Sequence, residues 1–136
     1  MLKSDKLVSQ TTEFGCGVAC LKTVLAHCGI RPGPTDLRCI EEAAEGPISL
    51  GSLLRAALHF GIEGRAVALD LEELPLLRLP AILTWGRSHF VVLLSLSSDG
   101  PLIFDPLGKV FDASQEYLED QFGGVALEFL LKGHTH

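Results

Sequence analysis

The sequence has no apolar run approaching the about 20 residues that a bilayer-crossing helix needs. Its longest apolar stretches, Phe90–Leu96 and Val125–Leu131, have the length of strands. The opening residues MLKSDKLVSQ lack the apolar core of a secretory signal, so the chain is expected to begin in the cytoplasm. Basic clustering is missing too. Lys and Arg total 11 against 17 Asp and Glu, for a net charge of -6 and a pI of about 5.2. A nucleic-acid surface needs a basic face, so no nucleic-acid partner is expected. There is no low-complexity segment, internal repeat or linker, and 136 residues suit one domain spanning residues 1–136. Cysteine is sparse: Cys16, Cys20, Cys28 and Cys39. In a reducing compartment these are thiols rather than disulfides.

What is present falls into two halves. From Cys16, the residues Cys20, Leu21, Val24, Leu25 and Cys28 recur with helical spacing, and Gly29 stands at the usual stop. Pro32 and Pro34 break the chain before a second short helix expected over residues 36–45. Ser49 caps a third, with Leu50, Leu53, Leu54, Ala57 and Leu58 on its expected buried side and Gly61 after it. Strand patterns then take over: Arg65–Leu69, Pro80–Trp85, His89–Leu96 and Leu102–Asp105, with an acidic turn over Asp70–Leu77. Ser97–Gly100 reads as a hairpin turn and Pro106–Gly108 as another. A polar helix over Ser114–Phe122 precedes a last strand, Val125–Leu131. Helices first and an antiparallel sheet after define an α+β arrangement, with the helices expected on one side of the sheet.

Cys16 is the thiol best placed for chemistry. At a helix start it meets the positive end of the helix dipole and unpaired N–H groups, which favour the thiolate, and Gly15 and Gly17 clear space around it. Cys20, Cys28 and Cys39 read as small buried apolar residues. Cys16, Cys20, His27 and Cys28 fail as a zinc set, because ligands along one continuous helix cannot close a tetrahedron. Neither a metal nor a cofactor is therefore expected. A reactive thiol needs a base. His134 and His136 lie in the tail, and His27 and His59 lie near helix ends. His89 instead opens a strand directly after a tight turn. Asp105 ends the strand that pairs with it across the Ser97–Gly100 hairpin, so the two fall at the same end. Asp105 before Pro106 also reads as a plain turn former. For the oxyanion, the Cys16 N–H and the Gln10 side-chain amide are the candidate donors.

These residues carry a resemblance. Gln10, Cys16, Gly17, Ala19, Cys20 and Leu21 match the Q-x5-C-G-x-A-C-L signature of the double-glycine, bacteriocin-processing cysteine peptidases. That family forms the N-terminal domain of peptidase-containing ABC transporters. Ser49–Leu53, Leu79–Leu83 with His89–Leu93, Phe104–Pro106 and Gly124–Leu127 resemble its further blocks, over roughly residues 8 to 130. The resemblance implies a papain-like fold, with Cys16 attacking the carbonyl of the second glycine. His89 is then acid and base, Asp105 orients it, and Gln10 assists at the oxyanion. It implies a precursor peptide as partner, its leader an amphipathic helix ending in Gly-Gly. It also implies membrane and nucleotide-binding domains of a transporter, and hence the cytoplasmic face of a bacterial inner membrane. A free-standing chain would be cytoplasmic.

Gly15 stands where the family usually has an acid, and Ser88 where it often has Asn. These departures leave a second reading, a leader-docking domain with weak or no catalysis. A cell-wall amidase of papain type is a third, and it calls for a signal peptide that the opening residues do not show. The Gly123–Gly124 pair reads as a turn into the last strand rather than a self-cleavage site.

Overall fold

The computed structural model describes residues 16–30, 50–86, 89–97 and 100–131. The elements are α1 (Cys16–His27), α2 (Leu50–His59), β1 (Ile62–Ala68), a 3-10 helix (Leu71–Leu76) and β2 (Ala81–Trp85). They continue with β3 (His89–Ser97), β4 (Gly100–Asp105), β5 (Lys109–Asp112), α3 (Gln115–Gln121) and β6 (Phe122–Leu131). The helix expected over 36–45, with Cys39, lies outside the described residues, as do Gln10, Gly15, Ser88 and the tail histidines.

Strand β3 sets the architecture. Phe90 through Leu94 are all buried, so both faces of the strand must be covered. On one face Phe90, Val92 and Leu94 join Ile82, Phe104 and Leu127, against Leu21, Val24 and Leu25 of α1 and Leu53, Ala56 and Ala57 of α2. On the other, Val91 and Leu93 join Leu83, Trp85, Ile103 and Ala126, against Leu74 of the 3-10 helix and Leu118 of α3. The N-terminal helices thus lie on one side, as expected. The far side is not bare: the stretch read as an acidic turn is a 3-10 helix that buries Leu74 there. Cys20 is fully buried in the α1 core, and Cys28 packs against it.

The sheet order is β1-β6-β2-β3-β4-β5, with every neighbouring pair antiparallel. The last strand therefore sits in the interior of the sheet, between β1 and β2. It starts at Phe122, earlier than its apolar pattern indicates, and the Gly123–Gly124 pair belongs to it. Leu83 pairs with Ala126 and Trp85 with Phe122, so Thr84 alone spans the interval filled by Gly123, Gly124 and Val125. This is a bulge, not a turn. Thr84 Oγ1 fills it, donating to the Val125 carbonyl at 2.9 Å and accepting from the Val125 N–H at 3.3 Å. A Cβ on Gly123 would stand 2.5 Å from that hydroxyl.

Two further differences have simple causes. Leu58, expected inside, is 53% exposed. The buried stripe of α2 runs through Leu53, Ala56 and Ala57, and the next residue turns away by about 100°. Strand β5 was unread because four mostly exposed residues at a sheet edge carry no clear alternation.

One buried charge ties the sheet together. Glu128 on β6 is 4% exposed and lies opposite Arg65 of β1, whose guanidinium it binds. Its other oxygen accepts the Arg78 N–H at 3.0 Å, tethering the segment that leads into β2. Burial alone would push this carboxyl up. The Arg78 N–H and then Arg65, by hydrogen bond and charge, outweigh it, and the group is held below the ordinary glutamate value.

The stability from Glu128 is therefore fully present above the ordinary glutamate range and is lost as pH falls through the lowered folded value. Glu128→Gln should cost about 1–3 kcal/mol at neutral pH by urea unfolding. That gap from the parent should shrink in acid, and a gap independent of pH would contradict the assignment. Gly123→Ala should cost about 1–3 kcal/mol in the same measurement, because Thr84 cannot retreat without opening the bulge.

Candidate active site

Helix α1 begins at Cys16 and lies across β3 in the first core. The backbone of Cys16 thus stands where the first turn leaves N–H groups without intrahelical partners. The Cys16 side chain lies outside the described residues. Around it the first turn is made of small residues, with no acidic side chain.

Strand β3 delivers His89 as its first residue. The apolar residues that follow anchor the strand, and Trp85 of β2 pairs with His89 in register. Across the other edge, Val92 pairs with Phe104, which brings the end of β4 alongside the start of β3. There His89 Nε2 and Asp105 Oδ1 are 2.8 Å apart. The carboxylate can only accept, so Nε2 carries the proton and donates it. A neutral imidazole then presents its lone pair at Nδ1. Both side chains keep some access to solvent, 26% for His89 and 17% for Asp105.

Asp105 is also the turn former that its place before Pro106 suggests. The Gly108 N–H donates to its carbonyl at 2.8 Å, and the Leu107 N–H donates to its Oδ1 at 3.0 Å. The Leu107 amide is a participant that the side-chain pattern does not disclose, although Asp-Pro-x-Gly is a recognisable turn. The remaining described histidines sit elsewhere. His27 Nδ1 donates to the Thr23 carbonyl at 2.9 Å within α1, and His59 packs edge-on against Phe60. Among the described residues no group of three or more His, Cys, Asp or Glu is placed to hold a metal, and no helix is long and apolar enough to cross a membrane.

The chain as a whole matches a known family. The pattern of the Peptidase C39 family covers residues 4–132. The chain belongs to the Peptidase C39 family, a family of cysteine peptidases. Over 122 residues it is 34% identical to the colicin V secretion/processing ATP-binding protein of Escherichia coli. That match takes in 90% of this chain and 18% of the relative's length. Among solved structures, it resembles a double glycine motif protease from an AMS/PCAT transporter in complex with the leader peptide. The TM-score is 0.84 with 26% identity, covering 90% of this chain and 89% of that one. The peptidase domain of Streptococcus ComA, a bi-functional ABC transporter involved in quorum sensing, shares the fold. Its TM-score is 0.82 with 24% identity, covering 93% of this chain and 98% of that one. The α+β, papain-like expectation is met.

With Nε2 bound to Asp105, the neutral His89 ring should be the Nε2–H tautomer. Long-range 1H–15N spectra should show Nδ1 unprotonated, and Asp105→Ala should restore a mixture of tautomers. A mixture in the parent chain would contradict the pairing.

Proposed function

We propose that residues 1–136 form one papain-like domain that removes leader peptides by cutting after Gly-Gly. Its site would be Cys16, His89, Asp105 and Gln10. The observation that carries this reading is the 2.8 Å His89–Asp105 pair at the end of β3, in a C39 chain whose first described helix opens on a cysteine. His89 Nδ1 takes the Cys16 thiol proton, and the thiolate attacks the carbonyl carbon of the second glycine. The oxyanion that forms is bound by the Cys16 N–H and the Gln10 amide. Collapse breaks the C–N bond as the imidazolium passes its proton to the leaving amine. Water, deprotonated by His89, then cleaves the thioester, releasing the leader with a free carboxylate and restoring the thiol. Asp105 keeps Nδ1 aimed throughout.

The substrate class is supported by the AMS/PCAT protease, whose structure holds a leader peptide. The colicin V relative, a secretion/processing ATP-binding protein, supports coupling to export by an ABC transporter. We place the domain on the cytoplasmic face of the membrane, where a precursor carrying an amphipathic helical leader arrives before export. Glycine selectivity would come from a cleft too narrow for a Cβ.

Cleavage of a Gly-Gly leader peptide, followed by mass spectrometry, tests the reading. Cys16→Ala should abolish the cut, and Gln10→Ala should lower kcat about 100-fold, as loss of one oxyanion donor does. Unchanged cleavage by Cys16→Ala would end it.

A further inference from the structure

Asp105 Oδ1 is shared between two donors. It accepts from His89 Nε2 at 2.8 Å and from the Leu107 N–H at 3.0 Å. A carboxylate on a rotatable stem is not fixed by a single hydrogen bond to a side chain. The second donor differs in kind, because it belongs to the main chain of a closed turn. The Gly108 N–H locks back on the Asp105 carbonyl, and β5 then pairs Lys109 with Asp105 and Val110 with Phe104. Pro106 fixes its own φ within the turn. Gly108 has φ +116 with open space where a Cβ would stand, so the turn needs its backbone freedom rather than its small size.

We propose that the Leu107 backbone amide is a positioning group for the peptidase reaction, holding the Asp105 carboxylate in the orientation that aims His89. The inference rests on His89 and Asp105 having the catalytic roles proposed above. Two effects of this N–H oppose each other. It draws charge from Oδ1, which weakens the carboxylate's hold on an imidazolium. It also keeps a partly exposed carboxylate from turning out to water, which strengthens that hold. At 17% exposure the competing water is at hand, so the second effect should win. The charged neighbour in register is Lys109, opposite Asp105 on β5, while Trp85 opposite His89 on β2 is neutral. In the proposed reaction the other titratable group is the thiol of Cys16, the residue that opens α1.

The experiment replaces the Leu107 N–H by an ester oxygen in the full chain, through incorporation of leucic acid. Gly108→Val serves as a genetically encoded counterpart that strains the same turn. Both are assayed on a Gly-Gly leader peptide across pH, with active enzyme counted by stoichiometric thiol alkylation. Loss of folded protein then does not pass for loss of rate. The ester should lower kcat about 10-fold with KM unchanged, the scale of a small misalignment. The alkaline limb of kcat/KM should move to lower pH, because the loosened carboxylate no longer retains the imidazolium. Asp105→Asn, whose Oδ1 still accepts from both donors, should keep more of kcat than Asp105→Ala. An alkaline limb that stays put or moves up in both turn variants, while Asp105→Ala is impaired, overturns the inference alone. An Asp105→Ala variant as active as the parent overturns the Asp105 role and this inference with it, whereas Cys16→Ala tests the peptidase reading separately.

Discussion

Strand β3 has to satisfy two opposed demands. Five successive residues, Phe90 to Leu94, are buried, which is possible only if both faces of the strand are covered. Its first residue, His89, must stay polar, partly wet and hydrogen-bonded. The change from one condition to the other occurs over a single peptide unit. The sheet manages this by ending there: β2 stops at Trp85 opposite His89, and β4 stops at Asp105 beside it. The carboxylate thus meets the imidazole where the layers that bury the sheet give out. A histidine two residues further in would sit among the second core's Val91 and Leu93 partners. There its charged form would carry a heavy desolvation cost.

The parts of this arrangement differ in how plainly the chain announces them. The α1 stripe, the β3 run and the hairpin linking β3 to β4 are local patterns, and residue spacing reveals each. The hairpin is what made His89 and Asp105 neighbours on paper, since antiparallel pairing maps the start of one strand to the end of the next. Features set by distant partners were not legible. Nothing near Gly123 indicates that Thr84, far earlier in the chain, will fill a bulge beside it. Nothing near Leu74 says that its turn will cover the back of β3, because burial of a short helix depends on what faces it. Nor does Glu128, in an apolar strand, disclose that it will bind Arg65 and the Arg78 N–H.

These unread features belong mostly to one strand. Strand β6 closes the chain yet enters the sheet between β1 and β2. Insertion there completes both cores and leaves polar groups to be satisfied in an apolar setting. Thr84 satisfies the Val125 backbone where the ladder is interrupted, and Glu128 satisfies the Arg78 N–H where the chain enters β2. Both contacts bracket β2, the strand that ends opposite His89. Polar satisfaction remote from the site therefore bears on where β2 ends, and so on where His89 begins.

The proposed site combines groups held with unequal firmness. The backbone of Cys16 is held by α1, whose inner residues are almost wholly buried. His89 is held by pairing with β2 and by the apolar run behind it. Asp105 follows Ile103 and Phe104, each buried in a core, but beyond it come only one turn and a short, exposed edge strand. A weakly buried element can orient a catalytic group only if its hydrogen bonds close on themselves, because little packing energy resists its opening. The turn after Asp105 closes in that way, through the Gly108 N–H on the carbonyl and the Leu107 N–H on the carboxylate. Buried β4 residues hold the Asp105 backbone, and backbone amides of the turn hold its carboxylate, so the precision of the proposed site would depend on that turn.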